Sequence, residues 1–286
     1  MSAPDSGAKP YYFVPQPSHW PVTGSCALLL MAFGAATWFN AYSFGPWLVL
    51  AGFAVLLTMM VGWFGRVIDE SEHRLYNKKV DVSFRWGMSW FIFSEVMFFA
   101  AFFGALFYVR NLSVPDLGSP EQKLIWPNFT AFWPTNGPYL KDPFTPMAAI
   151  GIPLINTIIL VSSGGTLTVA HHALKTGNRA MLKLWLFITI VLGVTFLALQ
   201  AHEYIHAYSE LNLKLSTGVY GSTFFMLTGF HGFHVTLGVT MLTVILFRCV
   251  AGHFKPDHHF GFEAVSWYWH FVDVVWLLLF VLVYWL

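Results

Sequence analysis

The chain's sharpest chemical pattern is His202-Glu203-Tyr204-Ile205-His206. Two histidines four apart on a helix share a face and can bind zinc. The intervening glutamate can act as general base, which is the arrangement of a zinc metalloprotease working within a membrane. A second pattern is His231 and His234, three apart on one helical face, where paired histidines could hold haem as in a membrane cytochrome. Neither pattern is complete in the sequence. No third-ligand motif lies beside His206, and His270 is the one other histidine well inside an apolar run. Structural hydrogen bonds are therefore the plainer use of His231 and His234. His171 and His172 close another apolar run, where polar caps are ordinary.

Two carboxylates sit within apolar runs, Glu95 between Trp90 and Phe99 and Asp273 near the C-terminus. A central aspartate costs about 2.5–3.5 kcal/mol in a membrane helix, so such acids are functional candidates. Glu95 is expected as the neutral acid, either with a proton-related or conformational role or simply hydrogen-bonded to a neighbouring helix. Asp273 stands three residues after His270, on the same face, and the pair is expected to lock helices together.

Composition says what must position these groups. Hydrophobic residues make up 56% of the 286 and charged residues 10%, against about 25% charged in a soluble domain. The expected fold is all-α, a polytopic membrane protein. About 20 apolar residues cross the hydrocarbon as a helix. Seven runs are long enough, near 24–43, 46–65, 86–109, 147–170, 183–205, 219–247 and 266–286. We read 1–286 as one transmembrane domain: 1–65 holds the N-terminal segment and the first two helices, 66–85 is a charged cytoplasmic loop, and 86–286 holds the other five. The turn near Ser43–Pro46 makes the first two an antiparallel hairpin. Seven of the 15 prolines fall in 111–146, an extended external loop without an assigned role.

Seven crossings put eleven Lys and Arg on the side of the N-terminus and four on the other, which makes the first side the cytoplasm or matrix and leaves the C-terminus outside. A net charge of +1 argues against nucleic acid as a partner. Two cysteines, Cys26 and Cys249, are too few for a disulfide scaffold and fall near the reducing face. One Lys among Pro and aromatic residues precedes the first run, unlike the basic start of a cleaved signal peptide.

Longer strings resemble a known family. Gly218-Val219-Tyr220-Gly221-Ser222-Thr223-Phe224-Phe225 continues through Thr228-Gly229-Phe230-His231-Gly232 to His234-Val235. Later come His258-His259-Phe260-Gly261-Phe262-Glu263-Ala264 and Trp267-Tyr268-Trp269-His270-Phe271-Val272-Asp273. With Ser94-Glu95-Val96, Pro153-Leu154-Ile155-Asn156-Thr157 and Trp20-Pro21-Val22-Thr23-Gly24, they resemble cytochrome c oxidase subunit III of the haem–copper oxidases, from about residue 11 onward.

The resemblance implies seven helices, the first two splayed from the rest by a lipid-filled cleft. It implies no catalytic residue and no metal or cofactor in this chain, with haem and copper in partner subunits and phospholipids bound. Subunit I is the implied direct partner, subunit II a member of the complex, and cytochrome c the donor. The implied role is support of proton uptake and of the catalytic subunit, in a bacterial cytoplasmic or mitochondrial inner membrane. Arg248, Trp63 and Glu95 are the implied lipid contacts. The family commonly has Gln-Ala-x-Glu-Tyr where this chain has Gln200-Ala201-His202-Glu203-Tyr204, so His202 and His206 stand at variable positions. Arg66 stands where relatives carry an acidic residue.

Overall fold

Proline lies in the first turn of three long helices, at Pro21, Pro46 and Pro153. There its missing N–H has no helical partner to lose and its fixed φ suits the helix. The computed structural model describes residues 13–140 and 142–285. Lys9, Lys141 and Leu286, which the sequence reading used, lie outside them. The long helices are α1 (Trp20–Phe39), α2 (Gly45–Glu72), α3 (Lys78–Tyr108), α4 (Ile152–Lys175), α5 (Arg179–Ser209), α6 (Gly218–Val250) and α7 (Phe260–Leu279). A wider turn, Val109–Ser113, extends α3, and another, Phe280–Trp285, extends α7. All seven are long and apolar enough to cross a membrane.

The chain divides into two compact units, Met1–Phe84 and Arg85–Leu286. In the first, α1 and α2 pack against each other through small residues. A Cβ added at Gly34 would stand 2.7 Å from the Val49 backbone nitrogen, and one at Gly52 would stand 2.8 Å from that of Met31. Beyond the membrane end of α2, Tyr76 donates to Glu70 Oε2 at 2.8 Å, while Arg66 Nε lies 3.4 Å from Oε1. Burial, then the bond to Glu70, raises the Tyr76 pKa above its ordinary value.

In the second unit, α4 packs on α5, α5 on α6, α6 on α7 and α7 back on α4, closing a four-helix bundle. Its centre is Trp269, fully buried in a slot between two glycines. A Cβ at Gly193 of α5 would meet its ring at 2.8 Å, and one at Gly238 of α6 at 2.7 Å. Small residues let helices approach where no hydrophobic driving force separates helix from lipid. Rings of α3 reach the bundle: Phe98 meets Phe230 of α6 at 5.0 Å and Phe91 stacks on Tyr268 of α7 at 6.2 Å.

Several helix ends differ from their expected places. α1 starts four residues before the apolar run, at Trp20-Pro21. The charged stretch 66–85 is mostly helical, because α2 runs to Glu72 and α3 starts at Lys78. Only His73–Asn77 connects them. A helix continues into water as readily as it crosses lipid, whereas hydropathy reports only the crossing. The 111–146 stretch holds one helical turn at Val114–Asp116 and a short 3₁₀ turn at Gln122–Leu124. It is tied to the start of α6 and to the α5–α6 connection: Tyr220 N donates to Thr135 O at 3.2 Å and Thr145 N to Leu211 O at 3.0 Å. Gly218, at φ +75°, brings its α-carbon against the Asn136 carbonyl, where a Cβ would stand 2.0 Å from the oxygen. No other residue fits there.

Candidate functional site

Glu95 of α3 and His234 of α6 meet inside the second unit. Glu95 Oε2 lies 2.8 Å from His234 Nε2, and His234 Nδ1 lies 2.6 Å from the Phe230 carbonyl one turn back. A carbonyl only accepts, so Nδ1 carries a hydrogen. The line between Nε2 and Oε2 then holds one proton, on the carboxyl or on the imidazole. Phe99 packs on the His234 ring at 5.0 Å and Tyr268 stacks on it at 6.4 Å, so the contact lies among aromatic rings. This arrangement can hold a proton and pass it along a single line. It also joins α3 to α6.

His231 goes elsewhere. It is fully buried, 5.1 Å from Trp276 and 5.7 Å from Phe196 by ring centroids, and neither ring nitrogen has a hydrogen-bond partner among the described residues. The expected hydrogen bond is not formed, because its neighbours from α5 and α7 are aromatic. One face of α6 thus carries two histidines with different surroundings.

On α7, Trp269, Asp273 and Trp276 recur along the face toward α4. Trp269 Nε1 donates to Ser163 Oγ at 2.9 Å and Trp276 Nε1 to Thr157 Oγ1 at 3.0 Å. Asp273 Oδ2 presses on Gly164, where a Cβ would meet it at 2.3 Å. His270 Nδ1 stands 3.6 Å from Asp273 Oδ2, too far for a hydrogen bond. The lock between α4 and α7 is therefore made by the two indoles. The His270–Asp273 pair is a looser contact within one helix.

The zinc-like string does not converge. Glu203 is buried and accepts from Tyr284 Oη at 2.7 Å, while His202 is exposed and His206 Nδ1 faces Glu210 at 3.2 Å. A general base would have to share the face of the two histidines. Trp63 is half exposed on α2. The Arg248 guanidinium lies 4.1 Å over the Phe254 ring, and its Nε is 3.4 Å from His253 Nδ1.

Two arginines that entered the sequence reading only as charges hold the ends of helices. Arg179, at the start of α5, donates to the carbonyls of His253, at 2.7 Å, and of Phe254. Arg85 Nη1 meets Glu263 Oε2 at 2.5 Å, and its guanidinium lies 5.2 Å from the Phe260 ring centre. The only sequence signals were the His259-x-x-x-Glu263 spacing and the clustering of charge at one set of helix ends.

Comparison with known proteins agrees with this architecture. The family model for cytochrome c oxidase subunit III matches residues 9–286. The chain is 45% identical over 279 residues to cytochrome c oxidase subunit 3 of Scyliorhinus canicula, covering 97% of each chain. It is 44% identical over 275 residues to the subunits 3 of Danio rerio and of Oryctolagus cuniculus, covering 96% of each chain. With a match of this length and identity, the chain belongs to the cytochrome c oxidase subunit III family.

Proposed function

We propose that this chain flanks the catalytic subunit I of a proton-pumping oxidase, with subunit II in the same complex and cytochrome c as donor, and that it supports proton uptake without carrying electrons. Haem and copper belong to other subunits of the complex. The observation that supports the role in proton uptake most directly is the Glu95–His234 contact, a one-proton line placed within a membrane span. Phospholipid is proposed to contact Glu95, half-exposed Trp63 and Arg248. The proposed setting is a bacterial cytoplasmic or mitochondrial inner membrane, with the N-terminus on the cytoplasmic or matrix side.

Removing the whole chain from the complex tests this role. Oxygen reduction should persist at first, while proton uptake slows or the enzyme inactivates during turnover. A chain-free oxidase with wild-type proton uptake and lifetime would refute it. Loss of haem on removal would instead point to a redox centre held here.

A further inference from the structure

Where α4 ends and α7 begins, three side chains aim ligand atoms at one place. His171 lies one turn before the end of α4, His259 immediately precedes α7, and Glu263 lies in its first turn. Among the described residues they are the one group of three or more metal-ligating side chains that converges, with ligand atoms all within 4.8 Å of one another. Glu263 Oε1 stands 3.2 Å from His259 Nε2 and 3.7 Å from His171 Nε2. Ligands at about 2.0–2.1 Å from a tetrahedral zinc are about 3.3 Å apart. The carboxylate-to-imidazole separations are close to edges of such a tetrahedron.

The hydrogens point the same way. His259 Nδ1 lies 3.0 Å from the Lys255 carbonyl, so that nitrogen carries the hydrogen. In the neutral ring, Nε2 is then a bare lone pair, and it faces a carboxylate oxygen that is also a lone pair. His171 Nε2 is enclosed at the same place, and neither Nε2 has a hydrogen-bond partner among the described residues. One added proton would serve one of these contacts, whereas a dication between them serves all three. A rear N–H given to a backbone carbonyl is the usual outer support of a histidine that ligates metal. His259 does not cap α7 with its side chain, so its ring is not engaged in that way.

We infer that His171, His259 and Glu263 form a binding site for a divalent cation of the zinc class, with water as the fourth ligand. Two imidazoles and one carboxylate suit zinc, and magnesium and calcium prefer oxygen donors. Arg85 holds the other oxygen of Glu263, which leaves Oε1 as a single donor and places a fixed positive charge beside the site. That charge weakens the affinity for a dication, so the site fills and empties with the free zinc concentration. When filled, it clamps the end of α4 to the start of α7. The inference rests on these residues and not on the proposed support of proton uptake.

The test uses the intact oxidase, dialysed against chelator and titrated with zinc. The wild type should bind one more zinc per complex than the double variant His171→Gln, Glu263→Gln, with the zinc and this chain each counted against haem so that loss of the chain is seen separately. Arg85→Gln keeps a donor for Glu263 and removes the charge, and should bind this zinc at least threefold more tightly. A measurement without variants guards against misfolding: X-ray absorption of the added zinc in the wild type should show two imidazole nitrogens and a carboxylate oxygen at about 2.0–2.2 Å. Magnesium at the same concentration should not displace it. Equal zinc counts in wild type and an assembled double variant, or added zinc without two imidazoles in its shell, would overturn the site.

Discussion

The α1–α2 hairpin and the α4–α7 bundle are both antiparallel helices in an apolar setting, yet they hold together differently. The buried residues of α1 are Gly24, Ala27, Gly34 and Thr37, so two backbones meet with little side chain between them. In the bundle the helices are spaced by Trp269, Trp276, Phe196 and Phe224, all fully buried, and the indoles then find hydroxyls on α4. Neither device depends on a hydrophobic force between helices, because lipid is as apolar as the side chains it replaces. Close approach serves two helices that meet along one line. Four helices around a common axis leave a volume that only large rings fill. The bundle is accordingly where polar groups can be buried with partners, and Glu95, His234 and Glu203 all bond within its unit.

The comparison breaks most severely at Trp269→Ala, which empties the bundle's centre. Deleting a buried tryptophan costs about 3–5 kcal/mol in soluble cores. The chain should then be lost from the purified oxidase, whereas Trp63→Ala, on the half-exposed surface of α2, should leave its yield nearly unchanged. A Trp269→Ala oxidase with the full complement of this chain would show that the rings are not what holds the bundle.

Glu95 sharpens the claim that the bundle's polar groups act in pairs. Glu95→Lys buries a positive charge beside His234 with no carboxylate to balance it, and a central lysine costs about 2.5–3.5 kcal/mol. Assembly should fall more than tenfold. Glu95→Gln keeps an N–H for His234 Nε2 and should assemble nearly normally. It can no longer give up a proton, so it should slow proton uptake, and an infrared band from a carboxylic acid at Glu95 should disappear. A carboxylate band at neutral pH that Glu95→Gln abolishes would place the shared proton on His234 instead.

Gly34→Val tests the hairpin alone. Its first added carbon would meet the Val49 backbone, which cannot turn aside, and overpacking costs about 1–3 kcal/mol. Faster proteolysis at the Asn40–Phe44 turn, with the α4–α7 bundle still resistant, is the expected result. Equal loss of protection in both units would mean that the hairpin and bundle are one cooperative structure.

Much of the fold could be read in the sequence because the membrane imposes it. Runs of apolar residues require seven crossings, and Pro21, Pro46 and Pro153 mark helix starts. The helix ends beyond the hydrocarbon could not be read from hydropathy, as Glu72 and Lys78 show. The partners of the polar groups were out of reach for another reason. Glu95 and His234 are 139 residues apart, and no spacing links α3 to α6. Spacing shows only which face a residue shares, so His231 and His234 read as equivalents until their neighbours separated them. Arg85 looked like one more charge on the cytoplasmic side, and only the fold brings it to Glu263.

Arg248→Ala has the smallest expected effect and asks whether the bundle's surface, as well as its interior, is specific. The guanidinium is half-buried in the last turn of α6, stacked over the Phe254 ring. Stacking on a ring fixes the plane of the group, and a fixed plane with five N–H donors suits two hydrogen bonds to a lipid phosphate. A charge still reached by solvent contributes about 0–1 kcal/mol to stability, so the variant should assemble. Its phospholipid content, counted per haem after mild detergent, should fall by about one molecule if the bidentate site holds a single headgroup. Arg248→Lys keeps the charge and loses the planar fork, so it should retain less lipid than wild type and more than alanine. Wild-type lipid content in Arg248→Ala would reduce Arg248 to a local brace for the Gly252–Phe254 turn, alongside Arg179.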